Sequence, residues 1–244
     1  MTDKPTISFS AQRKQLAVLI DPDAQSPAEA GRIARFAAEY GADYIFLGGS
    51  LIVTGIDLTL TAIKEHSHLP VILFPGHSSH LSPQLDAVLF ISLISGRNPE
   101  YLIGNHVIAA PQIKRLGLPV IPCGYILIES GQTTSVEYMS NTRPIPAAKT
   151  DIIVATALAG EMQGNRCIYL EGGSGAQERV HLATITSVRR ALQIPLIVGG
   201  GIRTAQDLRS VYEAGADIAV VGTAIEQNPD LIPQFCATKH AFNK

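Results

Sequence analysis

The sequence predicts a single (β/α)8 barrel of the α/β class. Three observations point there: eight short apolar runs recur along the chain, amphipathic stretches long enough for helices separate most of them, and no change of composition divides the 244 residues. A barrel of this kind typically fills about 250 residues, so the chain is read as one domain over 1–244.

The runs are Ala17–Ile20, Tyr44–Leu47, Val71–Phe74, Val88–Ile91, Val120–Ile128, Cys167–Leu170, Leu196–Val198 and Ile218–Val221. Being apolar on both faces, they suit parallel strands buried beneath helices. Between the first two, Ser26-Pro27-Ala28-Glu29 combines a capping-box pattern with proline at the first helical position, and Gly41 stands where a left-handed C-cap is needed. Only about a dozen residues separate Phe74 from Val88, so the third helix is expected to be shortened or missing. Asn98-Pro99-Glu100 opens the fourth crossover. After the fifth run, a polar, glycine-containing stretch from Glu129 precedes a helical pattern over Pro146–Met162, which marks a lid or a wall of the active site. Thr204–Asp207 repeats the cap of the first helix, Gly215 ends the helix before the eighth run, and Asn228-Pro229-Asp230 opens the last helix. Glu39–Gly48 and Glu213–Gly222 echo one another as helix, turn and strand, as repeated units of a barrel would.

Composition excludes several functions. With 19 Lys and Arg against 21 Asp and Glu, and only 16% charged residues, the chain is too poor in cations for a nucleic-acid partner. The 46% hydrophobic content is that of a folded protein with an ordinary core. Cys123, Cys167 and Cys236 have no metal-ligand or disulfide-framework spacing and read as reduced thiols in a cytoplasmic protein. Met1–Pro5 carries no leader pattern, and no apolar window of about 18 residues exists to span a membrane.

Barrel enzymes work at the carboxyl ends of their strands. There the chain places Asp21-Pro22-Asp23, Gly48-Gly49-Ser50, Ser95-Gly96-Arg97, Glu129, Glu171–Gly175, Gly199–Gly201 and Gly222-Thr223. Glycines after the last three strands expose backbone N–H groups, with Ser174 and Thr223 as hydroxyl donors and a short helix after Gly222, a pattern suited to phosphate. Asp21 with Ser50 supplies a carboxylate and a hydroxyl of the kind that hold Mg2+, the shell being completed by water and substrate phosphates. Asp23 better suits a cap or a loop tie. Glu171 stands beside the phosphate loops, where it could take a proton from a hydroxyl. Arg97 is a candidate diphosphate contact or a surface ion pair, and His77 with His80 reads as a solvated loop. Lys14, Lys64, Lys114 and Lys149 lie away from strand ends, which disfavours Schiff-base chemistry.

Taken together and in order, Val18–Asp23, Phe46–Ser50, Leu73–Gly76, Asn98–Gly104, Tyr169–Gly175, Val198–Arg203 and Val221–Thr223 resemble the geranylgeranylglyceryl phosphate synthase family, which includes the heptaprenylglyceryl phosphate synthases. The resemblance implies a Mg2+-dependent prenyltransferase joining the C3 hydroxyl of sn-glycerol 1-phosphate to a polyprenyl diphosphate, with release of diphosphate. It implies that Tyr169, Leu170, Glu171, Gly172, Gly173, Ser174 and Gly175, with Gly200, Gly201, Gly222 and Thr223, hold glycerol 1-phosphate. Asp21 and Ser50 would ligate Mg2+, and Glu171 would be the base. The smaller bacterial members carry lysine two residues before the metal aspartate. Leu19 stands there in this chain, which places it nearer the archaeal and Bacteroidetes-like group and favours a geranylgeranyl donor. A homo-oligomer is expected, as is peripheral, reversible contact with a membrane; Phe90, Tyr101 and Tyr125 are candidates to gate a tail groove. Two other readings stay open: a phosphosugar isomerase with Asp21 and Glu129 as an opposed acid–base pair, and a catalytically silent phosphate-binding barrel.

Overall fold

The computed structural model describes residues 7–77 and 79–243; the N-terminal Met1–Pro5 and Ser78 of the histidine-bearing loop lie outside the described residues. Strands β1 (Gln15–Ile20), β2 (Tyr44–Leu47), β3 (Val71–Leu73), β4 (Ala87–Leu93), β5 (Val120–Leu127), β6 (Cys167–Glu171), β7 (Leu196–Gly199) and β8 (Ile218–Val221) close into a barrel in sequence order. Every neighbouring pair is parallel, and closure sets Val18 of β1 against Val221 of β8.

Alternation along each strand divides the apolar residues into two layers. Leu16, Val18 and Ile20 face the helices, with Ile168, Leu170 and Ile126, while Ala17, Tyr125, Cys167 and Tyr169 fill the barrel interior. The same period carries Glu171, two residues beyond Tyr169, to the inner face at the open end of β6. Cys123 and Cys167, distant in sequence, sit side by side in the β5–β6 register as buried free thiols.

Helices α1 (Pro27–Tyr40), α2 (Asp57–His66), α3 (Asn105–Leu116), α5 (Thr150–Met162), α6 (Leu182–Ala191), α7 (Ala205–Ala214) and α9 (Ile232–Phe242) cover the outside, while the short α4 (Ser135–Ser140) and α8 (Thr223–Gln227) border the cavity at the strand ends. The capping residues act as their types require: Ser26 accepts from the Glu29 N–H, Thr204 and Asp207 form the reciprocal box, and Gly41 and Gly215 take φ of 86° and 118°. Among the described residues no helix lies between β3 and β4, as the short crossover predicts. A single π-type turn, Glu100–Gly104, leads into α3. The long β5–α5 connection holds α4, which the sequence pattern does not announce, and α5 begins at Thr150 rather than Pro146. Proline at 146 is followed by a turn closed by the Lys149 N–H on its carbonyl, so regular helix starts four residues later than the apolar pattern.

At the closed end, α9 is anchored to the barrel by a buried cation. Lys239 and Asp43 have only 4% and 7% of their side chains exposed, and the ammonium donates to Asp43 at 3.0 Å and to the Gly41 carbonyl. Asp43 also accepts from Arg13 and from the Leu16 N–H, so one carboxylate ties α9, β1 and the α1–β2 turn together.

Candidate active site

The strand ends open into a cavity of about 470 Å3 lined by Asp21, Gly49, Ser50, Tyr125, Tyr169, Glu171, Gly173–Gly175, Gly200, Gly201, Gly222, Thr223 and Glu226, among others. Strand order brings these residues together, because β6, β7 and β8 are consecutive and β8 closes onto β1.

Glu171 forms the floor. It is 6% exposed, and burial raises its pKa above the usual glutamate value while three donors oppose that shift: the Gly173 N–H and the phenols of Tyr169 and Tyr125. Both phenols are themselves held protonated by burial and by the Glu171 charge. Their rings lie 5.1 Å apart, set by the register that pairs Tyr125 with Tyr169. Sequence reasoning placed Tyr125 at a tail groove; the alternation of β5 instead turns it inward beneath Glu171. That inward set of Cys123, Tyr125 and Leu127 was the signal available.

The loop after β7 closes over this carboxylate. Gly200 has φ 82°, and a Cβ there would come within 2.6 Å of a Glu171 carboxylate oxygen and 2.8 Å of the Gly172 and Gly173 nitrogens. The glycine is thus required both by its dihedral angle and by the close approach of two loops. Arg203 hooks the Ala176 and Gln177 carbonyls, and Gln132 of the β5–α5 segment donates to the Gly175 carbonyl at 2.7 Å. That segment, with Ser135 and Val136 on the cavity, is a wall rather than a detached lid. Leu170 and Gly172 do not line the cavity; Leu170 points outward into the layer under the helices, leaving only its backbone near the site.

Across the mouth, Asp21 is half-buried and its carboxyl pKa is raised by burial, against hydrogen bonds from the Asp23 and Ala24 N–H groups and with the added repulsion of Asp23. Its outer oxygen lies against Gly49, where any Cβ would collide with it, and Ser50 follows directly. Oxygen donors alone, one anionic and one neutral, suit a hard divalent cation that takes its remaining ligands from water and phosphate. Asp23 turns away: it accepts from the N–H groups of Val53 and Thr54 and from the Thr54 hydroxyl, which hold its carboxyl below the usual range and tie down the β2–α2 loop.

Four residues considered from sequence stand apart. Glu129 is exposed and outside the cavity lining, so no Asp21–Glu129 acid–base pair is assembled. Arg97 donates to the Gly96 and Ile94 carbonyls beside a separate surface hollow with Arg143. His77 and His80 sit in the β3–β4 loop with ring centroids 6.1 Å apart.

Where Phe74 of the polar cavity gives way to Pro75 and Gly76, a second, apolar groove begins. It runs over the gap left by the absent third helix and is lined by Leu81, Val88, Phe90, Ile91, Tyr101 and Ala109. The aromatic pair expected at a groove, Phe90 and Tyr101, is therefore in it, with His106 stacked at 4.3 Å on Phe90.

Comparison with known proteins agrees with this geometry. The chain is 45% identical over 233 residues to geranylgeranylglyceryl phosphate synthase of Spirosoma linguale, covering 95% of this chain and 94% of that one. It is 47% identical to the enzyme of the same name from Thermococcus kodakarensis, covering 86% and 83%. The solved structure of (S)-3-O-geranylgeranylglyceryl phosphate synthase from Thermoplasma acidophilum, in complex with its substrate sn-glycerol-1-phosphate, matches with TM-score 0.89 and 34% identity over 93% of both chains. The profile of the PcrB family matches residues 10–239, and the chain belongs to that family, the family of the geranylgeranylglyceryl phosphate synthases.

Proposed function

We propose that this protein joins the C3 hydroxyl of sn-glycerol 1-phosphate to geranylgeranyl diphosphate in a Mg2+-dependent reaction that releases diphosphate. The observation that carries this is one cavity that holds a buried carboxylate, Glu171, with the glycine-rich loops, Asp21 and Ser50, its Phe74 adjoining the first residues of an apolar groove.

The backbone N–H groups of Gly173–Gly175 and Gly200–Gly201, with the Ser174 and Thr223 hydroxyls, would hold the phosphate of the acceptor, the ligand that the Thermoplasma relative contains. That anchors the three-carbon substrate so that its distal hydroxyl reaches Glu171. The Glu171 carboxylate takes the hydroxyl proton as the oxygen bonds to C1 of the prenyl chain and the allylic C–O bond to diphosphate breaks. Tyr125 and Tyr169 keep the carboxylate pointed at that proton. Asp21 and Ser50 would hold Mg2+, which when bound supplies positive charge for the departing diphosphate. The tail lies in the groove of Phe90 and Tyr101, where each buried methylene contributes about 0.8 kcal/mol.

A homo-oligomer and peripheral membrane contact belong to the same proposal. Ile103, Val107 and Ile108 are 58–65% exposed beside the groove, and Tyr138 and Met139 lie next to them through the Tyr101 hydroxyl on the Met139 carbonyl. Among the described residues no helix is long and apolar enough to cross a membrane. The test is an incubation with sn-glycerol 1-phosphate and donors of several chain lengths, with Mg2+ and with excess chelator. Ether product that is greatest with geranylgeranyl diphosphate and lost on chelation is expected. Turnover undiminished by chelator would remove the metal from the proposal, and no product with any donor would leave a phosphate-binding barrel.

A further inference from the structure

Three carboxylates line the strand-end cavity among the described residues, Asp21, Glu171 and Glu226, and the reaction as proposed leaves Glu226 without a task. It stands one turn into α8, immediately after β8, and barrel closure places β8 beside β1. Its carboxylate lies against the backbone amide of Asp21, and its own carbonyl accepts from the Gln25 side chain at 3.4 Å. The β1–α1 loop and α8 thereby meet at Asp21 and again at Gln25, four residues further on.

The charges on this wall do not balance. Among the described residues neither Asp21 nor Glu226 has an ion-pair partner, although both line the same cavity. Two carboxylates held together in a partly desolvated cleft are tolerated best with a cation between or beside them. Arg203, also on the cavity, is engaged with carbonyls on the opposite side.

We infer that Glu226 is a positioning residue of the divalent-cation site: it aligns Asp21 through the backbone amide and supplies the second negative charge that retains the ion. This rests on the Mg2+ reading of Asp21 and Ser50 and deepens it. It also gives α8 two roles, since Thr223 at its start faces the acceptor phosphate while Glu226 one turn later serves the cation that meets the donor.

The test is Mn2+ binding to the purified protein without prenyl donor, followed by electron paramagnetic resonance, in the wild type, Glu226→Gln, Glu226→Asp and Asp21→Asn, with sn-glycerol 1-phosphate affinity measured in parallel. Glu226→Gln keeps the size and an oxygen acceptor while removing the charge. It is expected to weaken Mn2+ binding about 10- to 100-fold, in line with losses of partners behind metal ligands. Glu226→Asp is expected to recover most of that loss, and glycerol phosphate affinity should stay within about twofold, because the phosphate cradle is intact. Wild-type Mn2+ affinity in Glu226→Gln, alongside loss in Asp21→Asn, overturns the inference alone. An equal fall in glycerol phosphate affinity, or no recovery with Asp, also overturns it by reducing Glu226 to a support of α8. Mn2+ binding absent from the wild type, or unchanged in Asp21→Asn, removes the cation reading and this inference with it.

Discussion

At the scale of one side chain, the proposed reaction rests on Glu171. As general base it would contribute about 10²- to 10⁴-fold, so Glu171→Gln is expected to lower kcat by that order while glycerol phosphate still binds, read by steady-state kinetics and calorimetry. The same substitution should raise the thermal midpoint at neutral pH. A buried carboxyl whose pKa is raised in the fold is held better as the acid, so its contribution to stability is lost as pH rises from the unfolded value through the folded one. Glutamine removes that loss, and the gain should vanish in acid. The pH profile has a matching sign. Activity requires the carboxylate, so the acid limb of kcat/KM should lie above the ordinary glutamate value. Tyr125→Phe or Tyr169→Phe, each removing a donor that favours the carboxylate, should move that limb to higher pH. A limb that stays put in both variants would count against the tyrosines as its supports.

Elements position these residues, and two of them are open to test. The β7–α7 loop can approach Glu171 only because residue 200 lacks a side chain. Gly200→Ala should therefore weaken glycerol phosphate binding by roughly tenfold or more, by strain at φ 82° and by pushing two loops apart. At the other end of the barrel, α9 depends on Lys239. Removing one partner of a buried ion pair typically costs about 3–5 kcal/mol. Arg13 and the Leu16 N–H remain to satisfy Asp43, so Lys239→Met should fall near the lower figure, about 3 kcal/mol by denaturant titration, with kcat unaffected. What the sequence made legible at this scale was whatever had a local signature. The caps at Ser26 and Thr204, the glycine stops at 41 and 215, and the missing third helix could all be read from a few adjacent residues. The helix α4 was missed although Thr134 and Glu137 carry a cap pattern, because the six residues Ser135–Ser140 are too few to show a period and are held by Asn98 and Tyr101 from a distant loop.

At the scale of the whole molecule, Phe74 lines the polar cavity and Pro75 and Gly76 line the apolar groove, so on the proposed reaction a two-part donor would use both. Ala109→Trp would fill part of the groove and should raise KM for geranylgeranyl diphosphate roughly tenfold or more, since two or three displaced methylenes lose about 0.8 kcal/mol each. KM for glycerol phosphate should not move. The strand ends were readable as a set because barrel topology dictates that they converge, so Asp21, Ser50, Glu171, Gly200, Gly201 and Thr223 could be placed on one cavity without coordinates. Tyr125 could not be assigned to Glu171, nor Glu226 to Asp21, because each contact depends on register and on closure of the last strand against the first. Leu170 shows the reverse error. A contiguous motif includes residues whose side chains alternate away from the site.

The interrupted ring of helices has one more consequence, for traffic. In a complete ring a ligand can enter only from the top, and a twenty-carbon chain would have to be drawn wholly through water to do so. With no helix between β3 and β4 among the described residues, the two ends of the proposed donor would follow different routes, the charged end over the rim and the hydrocarbon along the groove on the outside of the closed strands. On the same proposal product would depart along that groove, greasy end leading, so the hydrocarbon would never be fully wetted between one apolar surrounding and the next.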